Sequence, residues 1–531
     1  MPSVTLDLLN KEEELGFCKS FDHFSELVDF VGNSKVVPIK LGLVPKSGTD
    51  SFRLICDASE NGLNAKISLG ERLVLPRISD AVECFLELRE RQLAEGGVLE
   101  AVSIDFANAF KLVPLLPAEK AFHVMFFAKR WYAANTLVFG VRSSPLIWGR
   151  AAACISRLAS AVCCAPSANA ASASALFRLN VFVDDPFAQA LARTAEYARL
   201  ILCFPLLLWA VLGFRLAVKK RQFPLPIRWV GVVFSLHQAG IVVRIPDEKL
   251  RSVLALAESA LSKRCIPVKM LRRVCGKFAW IGQTVPFVHA FVSPLWRLLG
   301  WADRHSVSAV RVESLRPSLV WLKTFINLHF ESVRQQDAAE GCYSRVYPCA
   351  SLTTSPWSIV VDASTTGVGG VLYEGSRPVS WFADSLKKVD FERFDSAPRD
   401  CKRQAVWEAL AILIACRLWL PSLPRFWTVK CCSDSRTALS SLMSLKSRSK
   451  ALILIAQELA LDCALEGRWF NLSFSHVPGA SNQWADSLSR LSEGISIPSP
   501  LESVPRVPCP DRSPDAGFWR VADPPQCLAM H

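Results

Sequence analysis

Several apolar runs in this chain end on carboxylates, and this pattern constrains the fold more than any other feature. The runs AVSIDF and LNVFVDD carry Asp105 and the pair Asp184 and Asp185, and later WSIVV leads into Asp362 and TVKCC towards Asp434. Short apolar runs of this kind predict buried β-strands. A carboxylate beside buried residues is unfavourable unless a metal ion or a cationic partner neutralises it. The pattern therefore predicts two acidic sites, far apart in sequence.

The chain has 531 residues, which is too long for a single core. Short β-branched runs alternate with helical stretches in its first half, a pattern typical of an α+β domain. A second α/β pattern follows a helical and a mixed region. The predicted segments are an N-terminal extension (1–34), an α+β domain (35–245), helices (246–300), a connection (301–355), an α/β domain (356–492) and a proline-rich tail expected to be disordered (493–531).

Charge and cysteine usage narrow the class of protein. The net charge of +13 favours a polyanionic partner, although a basic protein with no nucleic-acid role is an equal alternative. Eighteen cysteines include no C-x-x-C pair, and the N-terminus does not look like a secretory signal. We therefore expect reduced thiols, no metal–thiolate site and an intracellular protein, in either cytoplasm or nucleus.

One apolar run, ILCFPLLLWAVLGF at 201–214, could be mistaken for a membrane span. It is shorter than the roughly 20 residues that a bilayer requires. It also contains Pro205 and is followed directly by Arg215. We expect a buried core helix here and no membrane partner.

The first carboxylate group comprises Asp105, Asp184 and Asp185. Two adjacent strands that end in these residues would present hard oxygen ligands to Mg²⁺, with water and phosphate completing the shell. Two ions about 3.5–4 Å apart can activate an attacking 3′-oxygen and stabilise the leaving pyrophosphate. Each aspartate could instead be only a turn former or a cap.

The segments around this group resemble, in their order, the polymerase of retroelement reverse transcriptases. The matching motifs are DFANAF at 105–110 and FVDD at 182–185. The Phe-Gly and Ser-Ser-Pro pattern at 139–140 and 143–145 is more similar to long-terminal-repeat and DIRS-like retrotransposons than to retroviruses. The resemblance implies a right-hand polymerase, with fingers and palm followed by thumb-like helices and a connection.

The resemblance also implies roles for individual residues. Asp105 and Asp184 would be the principal ligands of two Mg²⁺ ions, with Asp185 assisting; Mn²⁺ could replace Mg²⁺. The implied substrate contacts are Lys46 and Arg53 with the incoming triphosphate, Phe110 as a steric gate against a 2′-hydroxyl, Gly140 as a close backbone approach, Lys219 or Lys220 with pyrophosphate, and Trp229 and Gly231 with the primer end. Lys46 and Arg53 could instead be plain surface charges, Phe110 an ordinary core residue, and the pair Lys219 and Lys220 a solvated face.

Pro186 is a departure from the resemblance, because it follows the aspartate pair directly. Proline has no backbone N–H group to donate, so it weakens the interior of a β-sheet. Edge or bulge geometry in the strand that returns from the turn could absorb this loss.

The second carboxylate group comprises Asp362, Glu408, Asp434 and Asp486. Glu408 lies inside the apolar stretch QAVWEALAILIA, and Asp486 lies in SNQWADSLSRL. A lone buried glutamate is usually paired with a base. Four acids in the order strand, helix, strand and helix are harder to explain as structural residues.

This order of acids, with the stretch HVPGASNQWADSLSRL at 476–491, resembles ribonuclease H in its retrotransposon form. The resemblance implies an α/β domain with a mixed sheet, in which the four acids bind two Mg²⁺ ions. One ion would activate water and the other would stabilise the leaving 3′-oxygen of a cut RNA strand. It also implies that His476 helps the product to leave, although a structural loop histidine is an equal alternative.

Both resemblances together imply an RNA- and DNA-directed DNA polymerase with a hybrid-specific nuclease. The implied partners are an RNA template, a DNA primer, an RNA/DNA hybrid and deoxynucleoside triphosphates, while protein partners are left open. A catalytically inactive, retroelement-derived nucleic-acid-binding protein is the alternative from a different class. A basic structural protein with neither activity is the third.

Overall fold

The computed structural model describes residues 2–45, 51–164, 176–336, 343–353, 355–424, 428–466 and 472–521. The chain is an α+β protein with several sheets. It divides into two compact units, Met1–Leu236 and His237–His531.

The first unit combines six helices with ten strands in its described part. Its helices are α1 (Pro2–Glu14), α2 (Phe24–Val31), α3 (Leu63–Lys66), α4 (Ile78–Glu95), α5 (Ser144–Cys163) and α6 (Ala195–Val211). Its strands are β1 (Cys18–Phe21), β2 (Lys40–Pro45), β3 (Phe52–Asp57), β4 (Val98–Ser103), β5 (Val124–Phe127), β6 (Arg130–Ala134), β7 (Leu176–Phe182), β8 (Asp185–Ala192), β9 (Ile227–Trp229) and β10 (Val232–His237).

A three-stranded antiparallel sheet positions the first carboxylate group. Its order is β4–β8–β7, so β8 lies between the other two strands. Alternate side chains of β8, including Ala188 and Ala190, pack in one core cluster with Phe177 and with Ile201 of α6. Because side chains alternate across a strand, this packing sets which face of the sheet is buried.

The predicted N-terminal extension belongs to the fold of the first unit. Leu9 of α1 is buried in the same core cluster as Cys56 and Tyr132. Lys111 is also buried, and its Nζ lies 2.8 Å from a carboxylate oxygen of Glu12. A buried cation with a partner at this distance ties α1 to the segment that follows β4.

The apolar run at 201–214 forms most of α6, but only one face of that helix is buried. Ile201, Leu202 and Trp209 are buried, whereas Leu207 and Val211 are exposed. The expectation of a buried core helix therefore holds for one face of α6 and not for the other. Two other helical stretches, Ser144–Cys163 and Cys401–Ser422, are long and apolar enough to cross a membrane by length and composition alone; the second is mostly buried in the fold.

The second unit combines ten helices with nine strands in its described part. Its helices are α7 (Asp247–Leu261), α8 (Val268–Ile281), α9 (Val288–Arg304), α10 (Arg316–Gln336), α11 (Ala350–Thr353), α12 (Lys388–Arg393), α13 (Gln404–Trp419), α14 (Arg436–Ser444), α15 (Lys450–Glu466) and α16 (Gln483–Ser489). Its strands are β11 (Gly240–Ile245), β12 (Cys265–Pro267), β13 (Ala309–Arg311), β14 (Tyr343–Pro348), β15 (Trp357–Ala363), β16 (Gly367–Glu374), β17 (Arg377–Ser385), β18 (Val429–Ser433) and β19 (Leu472–His476).

A five-stranded mixed sheet positions the second carboxylate group. Its order is β17–β16–β15–β18–β19, with antiparallel pairing on one side of β15 and parallel pairing on the other. Helices α13 and α16 both pack against β15 and β16. Helix α13 is buried on almost every side, as expected for a helix that is apolar all round.

The tail differs from the sequence prediction. Residues 493–521 include short 3₁₀ turns and four buried side chains, of Leu501, Arg512, Phe518 and Trp519, which the prediction of a disordered tail did not foresee. Arg512 is 0% exposed and its Nε lies 2.9 Å from Oδ1 of the buried Asp390. Trp381 donates its Nε1–H to the carbonyl oxygen of Val504 at 3.0 Å. The charged and apolar residues between the prolines therefore find buried partners, which composition alone did not reveal; residues 522–531 lie outside the described part.

Candidate functional site

A tight turn presents the aspartate pair of the first group. Phe182 and Asp185 are paired across β7 and β8, which leaves Val183 and Asp184 as a two-residue loop. Val183 has a φ of 57°, which is unfavourable for a β-branched residue. Trp148 donates its Nε1–H to the Val183 carbonyl at 2.7 Å, and this contact helps to hold the strained turn.

Asp105 lies next to this turn. The backbone N–H of Phe106 donates to the Asp184 carbonyl at 2.8 Å, which links the two aspartate segments directly. The Asp105 carboxylate forms an ion pair with Lys220. Lys219, the other candidate, is exposed on the same 3₁₀ turn. The structure thus separates the two lysines that the sequence left equivalent.

Burial and mutual repulsion perturb the aspartate pair. Burial is the main cause that raises the pKa of Asp184, and the negative charge of Asp105 adds to it. Burial also raises the pKa of Asp185 to about 7, although a hydrogen bond from Ser103 Oγ at 2.9 Å opposes this shift. The three carboxylates are therefore close enough to interact. They do not form a compact ligand group among the described residues, and Lys220 and Ser103 engage two of them.

Pro186 lies neither on an edge strand nor at a bulge of the described sheet. Pro186 lies in the central strand, opposite Val181 and one step from the turn pair of Phe182 and Asp185. Hydrogen-bonded pairs alternate along an antiparallel ladder, so the Pro186 nitrogen faces away from β7. On the other side, β4 ends opposite Phe187. One residue further on, the Ile104 N–H still donates to the Pro186 carbonyl at 3.3 Å, but proline has no N–H group to return this bond.

Two residues predicted to contact the substrate, Arg53 and Phe110, pack against the same ring, that of Phe139. The Arg53 guanidinium lies 5.0 Å from the ring centroid of Phe139, and the rings of Phe139 and Phe110 are 4.8 Å apart. Arg53 is also close enough to Asp184 to lower its pKa. Phe110 is buried, which leaves its alternative as an ordinary core residue open. Lys46 lies outside the described residues.

The local backbone geometry explains why glycine stands at positions 140 and 231. Gly140 has a φ of 107°, and a Cβ there would lie 2.0 Å from the carbonyl oxygen of Cys56. The protein itself therefore requires glycine at this position. Gly231 has a φ of 86° in the two-residue turn between β9 and β10. Trp229, just before that turn, is buried and donates its Nε1–H to the backbone carbonyl of Asp185 at 2.9 Å.

The second carboxylate group converges more tightly. Asp362 lies on β15, Glu408 on α13 and Asp434 just after β18, and their ligand atoms all lie within 4.8 Å of one another. Strands β15 and β18 are adjacent and parallel, so their carboxyl ends meet at the same edge of the sheet. Within the described chain this is the one group of such residues with that spacing.

Two of these three carboxylates are buried, and the third, Asp434, is partly exposed. Asp362 is 5% exposed and Glu408 is 1% exposed, and among the described residues neither forms an ion pair. Burial is the largest cause that raises the pKa of both groups, and Asp434 raises both further. Other buried acids of the unit differ, because Glu458 pairs with Arg417 at 2.8 Å. Burial together with repulsion between carboxylates is the electrostatic pattern that functional carboxylates often show.

Neutral donors orient the two buried carboxylates. Asp362 accepts hydrogen bonds from Asn482 Nδ2 at 3.2 Å and from Ser489 Oγ at 2.9 Å. Glu408 accepts from the Ala363 N–H and from Ser433 Oγ, both at 3.0 Å. Sequence reasoning missed these donors, although Ser433 is directly next to Asp434.

The remaining two predicted residues lie at the edge of this group. Asp486 is close enough to Asp362 to raise its pKa, but its carboxylate accepts a hydrogen bond from Arg490 Nε at 2.9 Å. It therefore stands outside the compact group. His476 is the exposed last residue of β19, opposite Ser433 in the parallel register. That register places it beside the strand end that carries Asp434.

No protein-family model matches this chain, and no curated protein matches it. Solved structures of foamy viral protease–reverse transcriptase are similar to it. One, a "dRH" form in complex with double-stranded DNA, is 14% identical over 90% of this chain and 69% of that chain, with a TM-score of 0.46. Another DNA complex has 14% identity, covers 90% and 83%, and has a TM-score of 0.45. A complex with an RNA/DNA hybrid has 16% identity, covers 84% and 51%, and has a TM-score of 0.39. At these values the likeness does not decide the activity.

Proposed function

We propose that this chain is a retrotransposon reverse transcriptase, an RNA- and DNA-directed DNA polymerase combined with a ribonuclease H. One observation carries the proposal: Asp362, Glu408 and Asp434 bring carboxylate oxygens within 4.8 Å of one another in a buried place. The first carboxylate group adds a second acidic site on a strained turn. A chain with two separate carboxylate groups suits two phosphoryl-transfer reactions that both use hard divalent cations.

The donor set of the second group fits Mg²⁺ or Mn²⁺. All of its side-chain ligands are carboxylate oxygens, which are the ligands that these cations prefer. Burial without an ion pair leaves negative charge that a cation would stabilise. Asp362, Glu408, Asp434 and Asp486 would hold two ions, which would activate water and stabilise the leaving 3′-oxygen. Asp486 would first have to exchange its contact with Arg490.

In the polymerase centre, the protein's own residues would hold and orient the substrates. Asp105 and Asp184 would hold two Mg²⁺ ions with help from Asp185, and Trp229 would keep the turn in place through its bond to the Asp185 carbonyl. Lys220 would leave Asp105 for the pyrophosphate product. The segment 35–245 would then be fingers and palm, the helices at 246–300 a thumb, 301–355 a connection and 356–492 the ribonuclease H domain.

The substrates of this proposal are an RNA template, a DNA primer, deoxynucleoside triphosphates and the RNA/DNA hybrid. Arg53, whose guanidinium lies over the Phe139 ring and near Asp184, would bind the triphosphate. Phe110 would exclude a 2′-hydroxyl by the bulk of its ring. His476 would assist release of the cut RNA from its exposed position at the end of β19. Copying an RNA strand leaves a hybrid, so the two activities would act in sequence on one substrate.

The test is a pair of assays on the full chain with Mg²⁺, with EDTA as the control. We expect extension of a DNA primer on an RNA template, and cleavage of the RNA strand of a hybrid. Tight hybrid binding without extension or cleavage would favour the alternative, an inactive retroelement-derived binding protein. Equal binding of hybrid and of an unrelated acidic protein would favour a basic structural protein instead.

A further inference from the structure

We propose that Ser433 is a positioning residue of the second carboxylate group. It links Glu408 to Asp434. This inference rests on the proposed metal-dependent function of that group. Ser433 is 0% exposed, and it directly precedes Asp434 at the end of β18. Its hydroxyl therefore links a ligand on a strand end with a ligand on helix α13.

The hydroxyl proton of Ser433 is donated to a single acceptor. Ser433 Oγ accepts a hydrogen bond from the backbone N–H of Ser435 at 3.0 Å. It also lies 3.0 Å from Oε2 of Glu408. A hydroxyl has one proton to donate. Because Ser435 is a donor, the geometry commits the Ser433 proton to Glu408.

Glu408 needs this contact because its side chain is long. Its other oxygen, Oε1, accepts from the Ala363 N–H at 3.0 Å and from Gln404 Nε2 at 3.3 Å. With Ser433 on Oε2, both oxygens are held and the carboxylate plane is fixed. Without Ser433 the carboxylate is free to rotate about the contacts on Oε1. Groups that orient metal ligands in this way typically change metal affinity about 10–100-fold.

Ser489 is a second hydroxyl donor in the same site, and its contacts can be compared with those of Ser433. Its Oγ lies 2.9 Å from Oδ2 of Asp362 and also 2.9 Å from the Asp486 carbonyl. One proton is thus shared between two acceptors. Asp362 also keeps its bond from Asn482 when Ser489 is changed. We therefore expect Ser489→Ala to weaken the site less than Ser433→Ala.

The experiment measures metal binding as well as activity. Mn²⁺ affinity is measured by calorimetry and by electron paramagnetic resonance in an Asp105→Asn background, which removes a ligand of the other centre. The variants are Ser433→Ala, Ser433→Thr and, as a matched control, Ser441→Ala at another buried serine of the same region. Thermal melting of each variant shows whether it folds.

We expect Ser433→Ala to lower Mn²⁺ affinity about 10–100-fold and to lower kcat for hybrid cleavage, with KM for the hybrid unchanged. Ser433→Thr restores a hydroxyl and should recover most of the affinity. Affinity in Ser433→Ala equal to that of Ser441→Ala would overturn the role of Ser433 while the proposed function stands. If the unsubstituted chain neither binds Mn²⁺ nor cleaves hybrid, the proposed function fails and this inference fails with it.

Discussion

The two carboxylate groups differ in the neighbours that stabilise their negative charge. In the first group, Asp105 has its own cation in Lys220, and Asp185 has a hydroxyl donor in Ser103. In the second group, Asp362 and Glu408 are more deeply buried and receive only neutral donors. A partly exposed site with an internal lysine tolerates the absence of metal. A buried site without an ion pair relieves its repulsion by taking up a proton or by binding an external cation.

The second unit also contains a buried acid that does have a cationic partner, and it can be compared with Glu408. Asp390 is buried as deeply as Glu408, but Arg512 lies 2.9 Å from it and neutralises it. Asp390 is therefore a structural acid. Glu408 differs by having no such partner among the described residues, and this separates a candidate ligand from a structural carboxylate. Burial alone would not have made the distinction.

The largest expected effect is a separation of the two activities. Asp105→Asn should lower primer extension by at least about a thousandfold, as removal of a group that stabilises charge at the reacting atoms does, and leave hybrid cleavage within about twofold. Asp362→Asn should do the reverse. Both rates are measured on the same preparation. Loss of both activities in either variant would contradict two independent centres.

The next effect tests the structural acid. Arg512→Met should leave Asp390 buried without its cation and lower the free energy of unfolding by about 3–5 kcal/mol, measured by urea denaturation. The matched control is Arg377→Met, which removes an exposed pair with Glu374 and should change stability by at most about 1 kcal/mol. Equal small effects in both variants would mean that the tail does not support the fold.

A pH effect should distinguish the buried acids without a cation. The folded pKa of Glu408 is raised, so its contribution to stability is full below the unfolded pKa and is lost as pH rises. The metal-free chain should therefore lose stability between about pH 4.5 and pH 8, the unfolded and folded pKa values of Glu408. Mg²⁺ should raise Tm more at pH 8 than at pH 6, by about 2–4 °C per kcal/mol regained.

Glu408→Gln is the control for this pH effect, because it keeps the shape of the side chain and removes the titrating group. Thermal melting with and without Mg²⁺ should show a flatter pH dependence in this variant. An unchanged pH dependence would assign the effect to another group, such as Asp185, whose pKa is raised to about 7.

The smallest effect concerns the internal cation. Lys220→Met removes the positive charge that competes with metal for Asp105. Mn²⁺ affinity of the first centre, measured in an Asp362→Asn background, should rise about two- to fivefold, since exposed pairs are worth about 0.2–1 kcal/mol. Primer extension should slow at the same time. Lys219→Met is the matched control and should change neither, and a fall in Mn²⁺ affinity would contradict the competition.

Sequence patterns anticipated much of the scaffold. Strands are present at the apolar runs that lead to Asp105, Asp184, Asp362 and Asp434, and Glu408 lies on a helix that is buried almost all round. These features follow from local periodicity and from the high free energy of a buried charge, both of which are visible in a linear chain. Sequence alone therefore determined where the strands end and which carboxylates are candidates.

The tertiary structure decided what surrounds each carboxylate. It made Lys220 rather than Lys219 the partner of Asp105, placed Pro186 in the central strand of its sheet, and brought the Ser433 hydroxyl to Glu408. It also gave the tail a buried place through Arg512. These outcomes depend on hydrogen bonds and ion pairs between residues distant in the chain. Local propensity does not encode such pairs, because their geometry exists only once the elements have packed.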